Sequence, residues 1–451
     1  MLKEAVAHYH DLLADADLAS SSRQVLDQGF ERAKLIFGGR PLSPYLRPHF
    51  VTEEDFARVV RICETVWNAI EKVKEAAVSD EAVLAHLGLT EIERELVKID
   101  PGYRFVSPTA RLDSFLTDDA YSFVELNGES PAGIAYGDAA YEIFESLPVM
   151  KRFGETYKVR RLEGSSLMLK VLLDCFEEFL GRKPERPPQI AIVDLKDMPT
   201  LKEFELFREF FEARGYPSII ASPDELEFKD GRLRAADFEI DIVYKRLLVN
   251  EYLPIIKEQP ALLDAYRARA VCMVNSFRSK LIHKKALFAV LTDARYASLF
   301  SQAERTMIAQ HVPWTRCVRA EKSDYQGQEI DLLKFIYERR DRLVLKPNDD
   351  YGGHGIYIGW NTDEVGWDEA IHNALANGDY LVQERVPTAR EVFPALTSGG
   401  EISFAEQLVD LDPLLFNGKV GSAFTRLSSN ELANVTAGGG MVPTFLIGKK
   451  E

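Results

Sequence analysis

The chain has 451 residues, of which 46% are hydrophobic and 28% are charged, and its formal net charge is −16. This composition is typical of a soluble globular protein with roughly two to four domains. The acidic balance, without a basic stripe, argues against a nucleic-acid partner. The sequence has no apolar run of the ~20 residues needed for a bilayer span, which argues against a membrane protein.

The N-terminal segment MLKEAVAHYHDLLADADLAS carries acids among its apolar residues, so it predicts an amphipathic helix rather than a signal peptide. The four cysteines, Cys63, Cys175, Cys272 and Cys317, are far apart and form no CxxC pair. Structural thiols in a reducing compartment are the simplest interpretation. We therefore expect a cytoplasmic protein.

Residues 1–105 are predicted to form a helical N-terminal region, because segments such as 53–77 show apolar residues at helical spacing. Residues 106–180 have a different pattern. A β-hairpin is predicted within 111–127, where two strand-like runs flank the turn TDD. Helical periodicity then returns and continues to residue 180.

Residues 187–270 are predicted to form an α/β domain. The apolar strands PQIAIVDL, YPSIIAS and IDIVYKR accompany the amphipathic helix LKEFELFREFFEARG, and strand–helix–strand order favours a parallel sheet. Ligands of such sheets bind beyond the carboxyl ends of the strands. Residues 271–451 are predicted to be mostly helical to about 335, and then to run strand, glycine loop, strand, helix and strand. Two more strands and the glycine-rich tail NVTAGGGMVP are predicted after residue 401.

The segment RLVLKPNDDYGGHGIYIGW is typical of a phosphate-binding loop. A strand ends at Lys346, and Gly352, Gly353 and Gly355 follow in a loop. Glycines let the backbone approach an anion closely, and successive N–H groups in such a loop form an anion-binding nest. The lysine would add a point charge. The alternative interpretation is a glycine-rich hairpin with a surface lysine.

Two further segments are compatible with nucleotide binding. In DYLVQERV, a strand ends in polar groups, so the backbone around Gln383 and Val386 could meet an adenine edge and Glu384 could accept a ribose hydroxyl. In NSFRSKLIHKKALFAVL, Lys285 opens an apolar helix, although Lys284 beside it is an equal candidate. The alternatives are a buried strand with one exposed glutamate and a solvated basic cluster.

The predicted hairpin carries a candidate metal site. Arg111 and Asp113 share a face of its first strand, and Glu125 and Asn127 share a face of its second. Carboxylate and amide oxygens are ligands for Mg²⁺. The alternative is a hairpin with one solvated polar face. We expect the other face to be buried, because it carries Phe123, Val124 and Leu126.

Together these segments resemble the ATP-grasp superfamily. The hairpin is similar to its R-x-D…E-x-N metal pattern, and the later segments are similar to its lysine, glycine-loop and hinge elements. The usual order is reversed, which resembles the circularly permuted branch: bacterial circularly permuted ATP-grasp proteins and, more distantly, eukaryotic glutathione synthetase and the synthetase half of glutathionylspermidine synthase. The resemblance covers about residues 111–443, and the α/β unit within 187–250 is similar to a pre-ATP-grasp domain.

The resemblance implies an α/β (α+β) ATP-grasp-like fold and an ATP-dependent carboxylate–amine ligase that works through an acyl phosphate. ATP and Mg²⁺ are the implied cofactors, and a small-molecule carboxylate and amine are the implied substrates. Arg426 resembles the arginine that faces the acyl phosphate, and Arg111 belongs to the same catalytic set. A phosphotransferase on the same cleft and a non-catalytic nucleotide-binding protein stay open, as do the identity of the substrates and assembly as a homodimer.

Overall fold

The structure is a computed structural model of a mixed α/β protein. It describes residues 1–37, 40–350, 352–396, 401–430 and 439–450. The α-helices are α1 Leu2–Leu12, α2 Ala16–Ala33, α3 Glu53–Ser79, α4 Glu81–His86, α5 Glu91–Lys98, α6 Ile134–Ser146, α7 Pro148–Phe153, α8 Ser165–Leu180, α9 Leu201–Glu212, α10 Val249–Tyr252, α11 Ala261–Arg267, α12 Lys280–His283, α13 Ala286–Thr292, α14 Gln302–His311, α15 Leu332–Glu338 and α16 Glu364–Asn377.

The strands are β1 Ile36–Phe37, β2 Arg40–Pro41, β3 His49–Thr52, β4 Thr109–Leu116, β5 Tyr121–Asn127, β6 Tyr157–Arg160, β7 Ile190–Val193, β8 Ser218–Ala221, β9 Leu226–Lys229, β10 Arg232–Ala235, β11 Phe238–Glu239, β12 Ile242–Lys245, β13 Cys272–Val274, β14 Thr315–Cys317, β15 Lys322–Tyr325, β16 Gln328–Asp331, β17 Leu343–Pro347, β18 Tyr357–Ile358, β19 Tyr380–Glu384, β20 Ala389–Leu396, β21 Ile402–Phe416, β22 Lys419–Ser428 and β23 Gly440–Lys449.

The N-terminal helices form as their sequence predicts. The predicted helix over 53–77 is α3, whose N-cap Thr52 accepts a hydrogen bond from the backbone N–H of Asp55. Acidic residues fill its first turn, where they complement the helix dipole. Its buried stripe includes Phe56, Val59 and Trp67, and it packs against the largest sheet of the molecule.

The largest sheet has eight strands, in the order β3-β23-β22-β21-β4-β5, with β20 on β21 and β6 on β23. Two of its strands correct the sequence-based prediction. β3 lies in the N-terminal region predicted to be helical, and β6 interrupts the helical stretch predicted for 134–180. Both are only four residues long and pair with β23 near the C-terminus. Local periodicity cannot reveal such distant partners.

The predicted parallel sheet is confirmed. Its order is β13-β12-β7-β8, and all three pairings are parallel. α9 joins β7 to β8 and packs through Phe204, Phe207 and Phe211. A small antiparallel sheet, β11-β10-β9, lies within the same segment and was not predicted. The carboxyl ends of β7 and β12 lie side by side, because the two strands are hydrogen-bonded neighbours.

The third sheet is antiparallel, in the order β14-β19-β17-β18. The predicted sequence of strand, glycine loop, strand, helix and strand is confirmed as β17, the loop, β18, α16 and β19. Its separate core is formed with α15 and α16 and includes Trp367 and Ile371. The stretch predicted to be mostly helical before it also contains β14 and the hairpin β15–β16, which is a correction.

The C-terminal part has three long strands, β21, β22 and β23, where two strands and a glycine-rich tail were predicted. The end of that tail, from Gly440, is the start of β23 and pairs with Leu427 of β22. The first half of the tail, residues 434–438, lies outside the described residues. Among the residues that the structure does describe, no helix is both long and apolar enough to cross a membrane.

Candidate functional site

A cleft of about 460 Å³ opens where the three sheets approach one another. It brings together most of the candidate residues from both halves of the sequence: Arg111, Asp113, Glu125, Asn127, Lys346, Gly352, Gly353, Gln383, Glu384, Val386 and Arg426. Lys285 lines a small adjoining cavity of about 10 Å³, together with Glu125, Lys346 and Gln383. Gly355 lies in the same glycine loop but does not line the cleft.

The hairpin β4–β5 positions the candidate metal ligands. Asp113 pairs with Glu125 across the hairpin, and Arg111 pairs with Asn127. The Arg111 guanidinium donates from Nε to Asp113 Oδ1 at 2.7 Å and from Nη2 to Asp113 Oδ2 at 3.1 Å. Asn127 Nδ2 also donates to Asp113 Oδ1, at 3.1 Å. The carboxylate of Asp113 is therefore held in a fixed orientation.

An irregularity in the hairpin corrects the predicted faces. Ser114 pairs with Phe123, directly after the pairing of Asp113 with Glu125, so Val124 has no counterpart on β4. An extra residue of this kind reverses the alternation of side chains. Phe123 and Leu126 are buried in the core as predicted, whereas Val124 is only half-buried and lines the cleft. The prediction that Val124 lies in the core is wrong.

Arg426 on β22 lies among three carboxylates. It donates to Asp113 and Asp410 from Nη2, and its Nε is 2.9 Å from Asp412 Oδ2. The strand order β4-β21-β22 explains the cluster, since β21 carries Asp410 and Asp412 between the other two strands. Asp410 and Asp412 were not among the candidates from sequence. The available signal was two acids at alternate positions within the apolar strand LVDLDPLLF.

The charges in this cluster shift one another's ionisation. Burial alone would raise the pKa of Asp113, but Arg111 and Arg426 outweigh it and hold that pKa well below its usual range. For Asp410, burial and the negative charge of Asp113 outweigh Arg426 and raise the pKa. Carboxylate oxygens of Asp113, Asp410 and Asp412 lie within 4.8 Å of one another. These oxygen donors are of the type that Mg²⁺ takes, but Arg426 already pairs with all three carboxylates. The set that fits a hard divalent cation is Asp113 with Glu125 and Asn127, which line the cleft on the hairpin.

Two lysines face Glu125 from the opposite wall. Lys346, at the end of β17, donates from Nζ to Gln383 Oε1 at 2.7 Å and to the Val124 carbonyl at 3.2 Å. Burial lowers the pKa of Lys346 to about 8, with Glu125 opposing and Lys285 adding to the shift. Lys285 Nζ lies 3.3 Å from Glu125 Oε1 and donates to the Asp350 carbonyl at 2.6 Å.

Lys284 lines the same small cavity as Lys285, but its ammonium is paired with different groups. Its Nζ pairs with Asp349 at 2.7 Å and with Glu93 at 3.1 Å. The buried Lys280 joins the same network through Asp349 and Glu129. These ion pairs hold Asp349 at the start of the glycine loop, so the ammonium of Lys284 stabilises the base of the loop, whereas that of Lys285 faces Glu125.

The glycine loop has the conformation that its glycines permit. Gly352, Gly353 and Gly355 have φ angles of 74°, 79° and 66°, which is the left-handed region that favours glycine. A Cβ at Gly355 would lie 2.8 Å from the hydroxyl of Tyr380. Gly352 and Gly353 line the cleft, so their backbone is accessible to a ligand.

The predicted hinge lies at the end of β19. Gln383 and Glu384 line the cleft, and Glu384 Oε1 accepts a hydrogen bond from the Tyr325 hydroxyl at 2.6 Å. Apolar side chains of Val344, Ile358 and Trp360 line the same part of the cleft. An apolar slot beside a strand end with polar groups is suited to a flat heterocycle. The apolar residues that line this slot were not predicted from sequence, because isolated apolar residues do not indicate a binding site.

Arg426 was predicted to stand at the mouth of the glycine-rich segment 438–440. Gly438 lies outside the described residues, and Gly439 and Gly440 are buried beside β22. The other end of the cleft is formed by the carboxyl ends of the parallel strands, as predicted. Asp194 follows β7 there, and Arg246 follows β12.

No family model matches the chain. A sequence relative from Frankia casuarinae, provisionally named glutamate–cysteine ligase 2-2, is 22% identical over 348 residues, or 73% of this chain. The match spans only 37% of the length of that relative. Among solved structures, a glutathione synthetase like-effector from Globodera pallida in its apo form aligns with a TM-score of 0.61 at 13% identity, covering 95% of this chain and 96% of that one.

A second solved structure, from Methylobacillus flagellatus and provisionally named gamma-glutamylcysteine synthetase, aligns with a TM-score of 0.41 at 9% identity over 85% of each chain. Only the first of these two structural alignments is close enough to compare architectures. The chain therefore has a mixed α/β fold similar to that of the glutathione synthetase like-effector.

Proposed function

We propose that this protein is an ATP-dependent carboxylate–amine ligase with a circularly permuted ATP-grasp core. The observation that carries the proposal is the meeting, in one cleft, of a lysine–glycine loop–hinge set with a hairpin of oxygen ligands. The fold likeness supports the architecture. The name of the Frankia relative supports amide-bond formation, although this chain spans about a third of that protein.

In the proposed reaction, a substrate carboxylate attacks the γ-phosphorus of ATP and gives an acyl phosphate and ADP. A neutral amine then attacks the acyl carbon, and inorganic phosphate leaves as the amide forms. Such chemistry needs positioning and charge neutralisation rather than a side-chain nucleophile. Mg²⁺ held by Asp113, Glu125 and Asn127 would supply positive charge to the β- and γ-phosphate oxygens.

Side chains and backbone groups of the protein bind the rest of the nucleotide in this proposal. Lys346 and Lys285 hold the phosphates, and the backbone at Gly352 and Gly353 approaches them. The segment 383–386 meets the adenine edge, and Glu384 accepts a ribose hydroxyl in exchange for its bond to Tyr325.

The two arginines have different roles in the proposal. Arg426 lines the cleft, and in the proposal it faces negative charge that develops at the acyl carbon while it exchanges part of its pairing with Asp113, Asp410 and Asp412. Arg111 is a positioning residue, because its guanidinium is committed to Asp113 and to the Ala132 carbonyl.

Turnover of Mg-ATP with pooled amino acids and polyamines tests the proposal, with ADP measured enzymatically and products by mass spectrometry. We expect a product whose mass is that of an acid plus an amine minus water, with one ADP per amide. Lys346→Met should lower this activity by about 10²-fold or more, as for loss of one preorganised electrostatic group. Lys334→Met, at an exposed lysine, is the control and should match the parent.

The same assay separates the rival functions. A phosphorylated acceptor without an amide would indicate a phosphotransferase. Nucleotide binding without ADP release under any mixture of substrates would indicate a non-catalytic nucleotide-binding protein. Either result would contradict the ligase proposal.

A further inference from the structure

A network of buried ion pairs lies next to the cleft, outside its lining. Its centre is Lys280, the first residue of α12, whose side chain is fully buried. The ammonium of Lys280 donates to Asp349 Oδ1 at 2.6 Å and forms an ion pair with Glu129 Oε1 at 2.9 Å. None of these three side chains is among those that line the cleft, so any role in the reaction is an indirect one.

The two carboxylates belong to different walls of the cleft. Glu129 follows Asn127, the last residue of β5, by two positions. Its side chain is fully buried, and its Oε2 accepts a hydrogen bond from the backbone N–H of Val249 at 2.7 Å, which leaves Oε1 to Lys280. Asp349 stands at the start of the glycine loop, two residues after the end of β17. One ammonium group therefore joins the end of the hairpin β4–β5 to the base of the glycine loop.

The network is electrically balanced, so it needs no bound cation. Three ammonium groups and three carboxylates form it: Lys245, Lys280, Lys284, Glu93, Glu129 and Asp349. Ligand atoms of Glu129, His283 and Asp349 lie within 4.8 Å of one another, but Lys280 already pairs with both of these carboxylates. The cluster is therefore a connection between two elements rather than a further metal site.

Resting on the proposed function, we propose that Lys280 is a positioning residue that couples the binding of Mg²⁺ to the binding of nucleotide. In that function, Lys346, Lys285 and the glycine loop hold the phosphates, whereas the hairpin holds Mg²⁺. The ion bridges the two only when loop and hairpin keep the correct separation, and small displacements of aligned groups are costly. Lys280 sets this separation from outside the cleft, because buried ion-pair networks carry coupling between sites.

The test compares the dissociation constant of ADP in Mg²⁺ with that in EDTA, measured by calorimetry, and the ratio of the two reports the coupling. Mg²⁺ should strengthen ADP binding to the parent protein by about 5- to 150-fold, the range typical of coupled sites. The isosteric variants Glu129→Gln and Asp349→Asn each break the connection at one end and should lower this ratio by about 2- to 30-fold. Affinity in EDTA should stay close to that of the parent, because Lys346, Lys285 and the hinge are unchanged.

A connection through one ammonium predicts a particular result for the double variant Glu129→Gln/Asp349→Asn. Once one end of the connection is broken, breaking the other end adds little, so its ratio should match that of the more affected single variant. Independent effects would instead multiply. Lys280→Met should reproduce the double variant, and if it fails to fold, the carboxylate variants alone still decide between these outcomes.

Lys74→Met is the matched control. Lys74 is also a buried lysine, 9% exposed, which pairs with Glu71 at 3.2 Å and is not among the residues that line the cleft. Its substitution should lower the melting temperature and leave the ratio between Mg²⁺ and EDTA at the parent value. The ratio therefore distinguishes a positioning role from a general contribution to stability.

Three results would overturn the role of Lys280 while the proposed function stands: a parent-like ratio in both carboxylate variants, multiplied effects in the double variant, or an equal loss of the ratio in Lys74→Met. A parent protein that does not bind ADP, or that binds it equally well in Mg²⁺ and in EDTA, would instead contradict the proposed function. The role of Lys280 would then fall with it, so the two failures are distinguishable.

Discussion

Lys346 lies where burial and a second lysine both disfavour its positive charge, and its pKa is lowered to about 8. Below that pH the empty protein offers an ammonium to the phosphates. Above it, binding requires uptake of a proton, so affinity falls as pH rises. We expect the dissociation constant of Mg-ADP to be flat from about pH 7 to about pH 8 and then to rise by up to about tenfold per pH unit.

Titration calorimetry at several pH values measures this dependence. Lys346→Met is the matched variant, because it keeps the length of the side chain and has no proton to gain. It should bind weakly and without the rise above pH ~8. A parent protein with constant affinity to pH ~9.5 would mean that Lys346 does not meet the phosphates.

Arg426 is the cation shared by Asp113, Asp410 and Asp412. Its loss leaves the buried Asp410 and Asp412 without this cation, so Arg426→Ala should lower the free energy of unfolding by about 3–5 kcal/mol. In the double variant Arg426→Ala/Asp412→Asn, one of those charges is also removed, and part of the stability should return. Urea unfolding measures both. An Arg426→Ala protein as stable as its parent would show that the cluster is solvated rather than buried.

At the scale of elements, the irregularity in the hairpin β4–β5 can be tested by substituting two neighbouring residues of β5. Leu126 is buried in the core whereas Val124 lines the cleft. Leu126→Ala should therefore cost about 2–5 kcal/mol of stability, because it leaves a cavity. Val124→Ala should cost less, since its surface already meets the cleft. Denaturant unfolding measures the loss of stability in both variants. A larger loss in Val124→Ala than in Leu126→Ala would mean that the bulge lies elsewhere in the hairpin.

Elements with a strong local signal were predictable from sequence. α3 has a long apolar stripe and an N-cap, and β17, the glycine loop, β18, α16 and β19 follow one another with clear boundaries. β3 and β6 were not predictable, because each has four residues and its partner β23 lies far along the chain. Their stability comes from tertiary pairing rather than from local periodicity.

The residues of the candidate site divide in the same way, into those with a local sequence signal and those whose role depends on a distant partner. Oxygen ligands two residues apart on a strand are predicted to lie on the same face, so Asp113, Glu125 and Asn127 could be selected from sequence. Asp410 and Asp412 have the same spacing, but their meaning depends on Arg426 in the neighbouring strand. Only the pairing of β21 with β4 and β22 shows that all three aspartates meet.

At the scale of the whole molecule, fold and function rest on different observations. The likeness to the glutathione synthetase like-effector extends over nearly the whole chain at 13% identity, and a shared fold does not by itself imply a shared reaction. The functional argument depends instead on the cleft, where the glycine loop and hinge of one sheet face the hairpin of another. The central claim is that the phosphates of ATP lie between Lys346, Lys285 and that hairpin.

Affinity labelling with an ATP derivative that carries a reactive acyl group on its γ-phosphate tests this claim without knowledge of the substrates. The probe acylates lysines that lie beside the bound phosphates, and peptide mass spectrometry identifies them. We predict labelling of Lys346, Lys285 or both, suppressed by excess Mg-ATP. Lys284, the immediate neighbour that is paired with Asp349 and Glu93, should stay unlabelled. Absence of label on both Lys346 and Lys285, or label that Mg-ATP does not suppress, would contradict the account.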